Sequence, residues 1–165
     1  MVLVPRLLVV HHSPTVNLAS LTDAVVNGAR DDAITGVAVH VVEALHATAQ
    51  DVVDADGLLI GTSANFGYMS GALKHFFDTI FLEAGGALSD DGSAAGAGGG
   101  KKPFGLWVHG RYDTTGAVRS VLAIVQALPW TQSAATLEVV GDVTEEHAAA
   151  AYELGGTLAA LVVEP

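Results

Sequence analysis

Three stretches of this 165-residue chain combine hydroxyls, amides and glycines in the way that anion and heterocycle recognition requires. The first is His12-Ser13-Pro14-Thr15-Val16-Asn17-Leu18, placed just ahead of an apolar helical pattern. Orphan N–H donors and the positive end of the helix dipole make such a start a site for a phosphate dianion, with hydroxyls as donors in place of a lysine. Ser, Thr and Asn are also the preferred N-caps, and capping alone accounts for them too. The second stretch, Gly61-Thr62-Ser63-Ala64-Asn65-Phe66-Gly67-Tyr68-Met69-Ser70, carries two glycines and two aromatics. Its freed backbone groups can address the rim of a flat heterocycle while Phe66 or Tyr68 packs against the ring. The plain alternative is a helix lead-in, with Ser70 as cap and Phe66 closing the core. The third, Val108-His109-Gly110-Arg111-Tyr112-Asp113-Thr114-Thr115-Gly116, again collects hydroxyls, glycines and one aromatic. Arg111 and Asp113 there could simply pair at the surface.

Each stretch follows a short apolar run of the kind buried on both faces of a sheet: residues 7–10, 57–61 and 104–108. Residues 36–42 and 137–143 read as two further strands. Helical spacing links them: Leu18, Leu21, Val25 and Ala29, with Gly28 near the stop; then a short stretch over 47–53. It recurs through Met69, Leu73, Phe76, Phe77 and Ile80, through Val118, Val121, Leu122, Val125 and Leu128, and over the alanine-rich 145–161. Five buried strands alternating with helices predict an α/β fold, a parallel sheet covered on both faces. Right-handed crossovers favour the strand order 2-1-3-4-5. The ligand crevice of that order lies outside the carboxyl ends of the strands, at the switch point between the first and third. All three stretches meet there.

Composition narrows the chemistry. Seven basic against 18 acidic residues give a net charge of -11, which repels nucleic acid and anionic membrane. The apolar start is broken by Pro5 and Arg6, so no signal peptide is expected, and no run approaches the ~20 residues of a membrane span. The absence of cysteine excludes a disulfide scaffold and a thiol nucleophile, and fits a cytoplasmic protein. None of the seven histidines stands at a ligand spacing with carboxylates, so no metal site is expected. Asp31-Asp32 lies in the wrong place for a phospho-acceptor pair, and no Gly-x-Ser-x-Gly elbow is present. No catalytic side chain stands out, and the hard chemistry falls to a cofactor. The expectation is a single domain over 1–165, with a flexible loop over 85–100 that holds seven of the 19 glycines.

The run Ala55-Asp56-Gly57-Leu58-Leu59-Ile60-Gly61-Thr62, continued by Phe66-Gly67-Tyr68-Met69-Ser70-Gly71-Ala72-Leu73-Lys74-His75-Phe76-Phe77-Asp78, resembles the flavodoxin and NAD(P)H-dependent FMN reductase superfamily. It is most similar to the quinone oxidoreductases of the tryptophan-repressor-binding-protein type, whose strand leads to Gly-Thr-Pro-x-x-Phe-Gly-x-Met-Ser-Gly. Ser63 stands where that family has proline. Lys101-Lys102-Pro103-Phe104 and Thr144-Glu145-Glu146 fall at the family's fourth strand and last helix.

The resemblance implies a flavodoxin-like three-layer α/β/α sandwich that holds FMN and passes electrons from NAD(P)H to a quinone or similar small acceptor. It implies that Ser13, Thr15, Val16, Asn17 and Leu18 hold the FMN phosphate. Ser63, Ala64, Asn65, Phe66 and Gly67 would form the loop along the isoalloxazine ring. His109, Gly110, Arg111, Tyr112, Asp113 and Thr114 would form the third loop. Association into dimers or tetramers is also implied. The chain departs from the pattern at Pro14 and Val16, at His109-Gly110-Arg111-Tyr112, and near Pro129-Trp130, where the reductases' late histidine has no counterpart. Two other readings share the scaffold. One is a flavodoxin proper, an electron carrier serving a redox protein partner. The other is an interaction domain without cofactor.

Overall fold

Leu7, Leu8, Val9 and Val10 are all buried, as only a strand covered on both faces allows. They form β1 (Arg6–His11), which runs parallel between β2 (Ala38–Glu43) and β3 (Gly57–Asn65). The structure is a computed structural model and describes residues 3–86 and 101–164. Beyond β3, a two-residue strand β4 (Tyr68–Met69) turns back antiparallel on its end. β5 (Lys102–Gly110) lies parallel to β3 on the side away from β1.

The last place in the sheet is shared. β6 (Trp130–Gln132) pairs with the start of β5 and β7 (Leu137–Val140) with its end, both parallel to it. The order β2-β1-β3-β5-β6, with β7 beside β5, is the expected 2-1-3-4-5 with a divided edge strand. The division has a local cause: the Gln132 amide donates to Ala134 O and Thr136 Oγ1, holding residues 133–136 in a turn.

Side-chain alternation sorts the core into two layers. Leu7, Val9, Leu59, Trp107 and Val139 face α1 (Val16–Ala29) and α5 (Glu145–Val163). Leu8, Val10, Leu58, Ile60, Leu106 and Val108 face α2 (Ala49–Asp54), α3 (Gly71–Ile80) and α4 (Thr115–Val125). Gly28 is a packing residue inside the last turn of α1 rather than a stop. A Cβ there would lie 1.8 Å from Tyr152 O, and one on Gly155 would lie 1.9 Å from Val25 O. Most of the glycine-rich stretch expected over 85–100 lies outside the described residues. No described helix is long and apolar enough to cross a membrane, and no group of three or more His, Asp or Glu among the described residues could hold a metal ion.

Candidate functional site

The parallel strands β1, β3, β5 and β7 all end at one edge, and the loops that leave them build a crevice. Loop 1 runs from His12 into α1. Thr15 is the N-cap, with extended backbone (φ -118), and its Oγ1 accepts the Leu18 N–H at 3.2 Å. Ala19 N–H bonds back to Thr15 O at 2.8 Å. The N–H groups of Val16 and Asn17 therefore have no helical acceptor and face outward with the dipole. The Thr15 hydroxyl keeps its own proton to donate. Val16 is 89% exposed, whereas Leu18 is wholly buried and serves the core. The Ser13 hydroxyl is turned behind the loop, 2.9 Å from His11 Nδ1 and 2.7 Å from Thr22 Oγ1.

Loop 2 is a hairpin that the sequence did not announce. Phe66 and Gly67 have φ of 52 and 75, the two consecutive left-handed residues of a tight primed turn between β3 and β4. Asn and Gly suit those positions; a bulky residue at the first is strained. Phe66 does not close the core, as it is fully exposed. The turn is held from below. The buried Thr62 Oγ1 accepts the Ser70 N–H at 3.1 Å and lies 3.0 Å from Ser70 Oγ, which caps α3 through the Leu73 N–H. From α4, Ser120 Oγ accepts the Met69 N–H at 3.1 Å. Ser63 is 8% exposed, and its hydroxyl has no partner among the described residues. By alternation from Leu59 and Gly61 it faces the α1 layer. Asn65 is exposed beside it.

Loop 3 leaves β5 at Gly110. His109 is buried, and its Nε2–H donates to Gly141 O at 2.7 Å. A carbonyl can only accept, so this bond fixes the tautomer. Gly141 N–H in turn donates to Gly110 O at 2.9 Å. Asp113 does not pair with Arg111; its carboxylate accepts the Thr115 N–H at 3.0 Å and hydroxyl at 2.8 Å at the start of α4. Those bonds hold its pKa below the ordinary carboxylate value. The buried Thr114 hydroxyl donates to Glu138 Oε2 at 2.5 Å, tying loop 3 to β7. Arg111 and Tyr112 project outward, Tyr112 at 86% exposure.

Asn17, His109, Arg111, Tyr112, Gly141 and Asp142 line one open cleft of about 320 Å³. Loops 1 and 3 therefore meet in this cleft, with Thr15 and Val16 beside Asn17 at the start of α1, and none of residues 63–67 of loop 2 lines it. Loop 2 adjoins loop 3: a Cβ on Gly110 would lie 3.2 Å from Ala64 Cβ. Gly141 and Asp142 were not anticipated. Their signal was positional, since they follow a fourth strand at the same carboxyl edge and Gly141 takes φ +80.

No family model matches the sequence. The chain is 31% identical over 102 residues to a flavodoxin of Aquifex aeolicus (strain VF5), a match that covers 59% of this chain and 54% of that protein. The chain thus spans about half the length of that relative. In structure it is similar to a flavodoxin from the domain Archaea, with a TM-score of 0.77 at 16% identity, covering 96% of this chain and 99% of that one. It is also similar to the flavodoxin of Streptococcus pneumoniae TIGR4, with a TM-score of 0.73 at 22% identity over 95% and 99% of the two chains. The sheet order, the layers and these likenesses together establish a flavodoxin-like fold.

Proposed function

We propose that the crevice at the carboxyl ends of β1, β3 and β5 holds one FMN and that the protein is a flavodoxin-type electron carrier. One observation carries this reading. Phe66 is held fully exposed in a left-handed conformation, on a loop that adjoins the one bearing the exposed Tyr112. Strain and exposure of this kind are kept where a ligand or partner uses them.

The donors fit the group. The Val16 and Asn17 N–H groups, the Thr15 hydroxyl and the Asn17 amide suit a phosphate dianion without a lysine. That matters in a chain of net charge -11. Ser63 offers a buried hydroxyl that lacks a partner among the described residues. Phe66 and Tyr112 offer flat apolar faces for a ring and shed water when they cover it. The His109–Gly141 and Thr114–Glu138 bonds keep the loop 3 wall in place. Bound FMN supplies electron-transfer chemistry that none of these side chains carries. The acidic surface suits a basic redox protein as partner.

A second reading, NAD(P)H-dependent reduction of a quinone, is favoured by Arg111, a cation lining the cleft that could receive an anionic nucleotide. Mixing the FMN-loaded protein with excess NADH or NADPH separates the two. The carrier reading expects no bleaching of the flavin by either nucleotide, and two separated one-electron midpoints in a redox titration. Rapid bleaching, with benzoquinone turnover that falls in Arg111→Ala, contradicts it and supports the reductase.

A further inference from the structure

Four side chains brought together from β1, loop 1, α1 and β5 form one hydrogen-bonded line behind loop 1. Trp107 Nε1–H donates to Thr22 Oγ1 at 3.3 Å. Thr22 Oγ1 lies 2.7 Å from Ser13 Oγ, and Ser13 Oγ lies 2.9 Å from His11 Nδ1. Trp107 is pinned because its indole lies flat where a Cβ on Gly61 would stand, 2.1 Å from the ring.

With no proton on His11 Nδ1, the line has one consistent sense. Indole nitrogen only donates, so Thr22 must accept from it. If Thr22 then donates to Ser13, and Ser13 to a neutral His11 Nδ1, every proton has an acceptor. With a proton on Nδ1, four protons compete for three links: either Thr22 accepts twice and its own proton is stranded, or Ser13 accepts from both neighbours and its own proton is turned out of the line. Thr22 is 5% exposed and has no other oxygen partner among the described residues. A stranded buried donor is costly.

We infer that His11 is a positioning residue: its neutral imidazole, by accepting the Ser13 proton, fixes loop 1 so that the α1 N-terminus faces the ligand, and protonation of the ring loosens FMN. The inference rests on the FMN reading of the crevice. Burial lowers the His11 pKa below its ordinary 6.5, with His12 acting in the same direction and Glu43 of β2 and Asp23 of α1 opposing it. The neighbouring β3 position, Gly61, brings no charge. The sign is distinctive. A cation added near a phosphate would tighten binding by charge alone, whereas a reversed line weakens it.

The test measures FMN affinity by fluorescence quenching at pH 7.5 and pH 5, with circular dichroism confirming the fold at both. Ionisation of the ligand phosphate falls in the same window but is common to every variant, so the ratio of Kd values is compared. His11→Asn keeps an acceptor and cannot titrate. Its ratio of Kd values between pH 5 and pH 7.5 is expected to be about fivefold smaller than that of the unaltered protein, the scale of one hydrogen bond. Ser13→Ala is expected to bind FMN more weakly at pH 7.5 and to show the same flattened profile. Long-range proton–nitrogen NMR of the unaltered protein is expected to show the Nε2–H tautomer of His11. Equal acid losses in the unaltered and His11→Asn proteins, or an Nδ1–H tautomer, overturn this inference alone. Absence of FMN binding by the unaltered protein at both pH values overturns the proposed function and this inference with it.

Discussion

Gly116 lies against the backbone of Gly67: a Cβ built on Gly116 would stand 2.1 Å from the Gly67 carbonyl oxygen. The first turn of α4 is thus seated directly on the turn that presents Phe66, with Ser120 bonded to the Met69 N–H one turn further along. Loops 2 and 3 behave as one wall because their backbones touch. Gly116→Ala must push the two apart. It is expected to cost about 1–3 kcal/mol in denaturant unfolding, as overpacking does, and to weaken FMN binding. A variant as stable as the unaltered protein would show that the contact yields freely.

At Phe66 the proposed function is set against stability. Asn tolerates the left-handed region where Phe is strained, so Phe66→Asn is expected to raise stability by about 0.5–1 kcal/mol. The same change removes a ring face, so FMN affinity should fall about tenfold or more. Unfolding and FMN titration on one preparation check both. Loss of stability would mean the strain is not there; unchanged affinity would place Phe66 outside the site.

Asp113 links pH to the start of α4. Its carboxyl is held below the ordinary 3.8 by the Thr115 N–H and hydroxyl. A carboxylate whose pKa is lowered on folding contributes stability that is present above its ordinary value and is lost as pH falls through the lowered one. Protection against hydrogen exchange in the first turn of α4, taken relative to the intrinsic rate at each pH, should therefore fall over that acid window, and Asp113→Ala should remove the dependence. An unchanged acid profile in the variant would contradict the cap.

The strands were legible where both faces are buried: 7–10, 57–61 and 104–108 are unbroken apolar runs, and each lies within a strand of the structure. The divided edge was not: residues 137–143 read as one whole strand, whereas β6 is three residues with only Trp130 buried, too short to show a period. The β3–β4 turn was hidden for a different reason. Its first central residue is Phe66, so the usual Asn-Gly mark of a primed turn is missing. That loop 3 meets loop 1 on one side and loop 2 on the other could be foreseen from strand ends alone. The inward turn of Ser13 could not, because its partner Thr22 is held by Trp107, 85 residues away.

Comparing FMN with riboflavin tests most directly the proposed recognition of a phosphate by the α1 N-terminus. Fluorescence quenching should show one FMN bound per chain at micromolar concentration, with riboflavin weaker by about 100-fold or more, the scale of two charge-assisted hydrogen bonds. Replacing Thr15 and Asn17 together by bulky apolar residues should bring FMN down toward riboflavin while the chain stays folded. Equal affinity for the two flavins, or no quenching of either, would contradict the account.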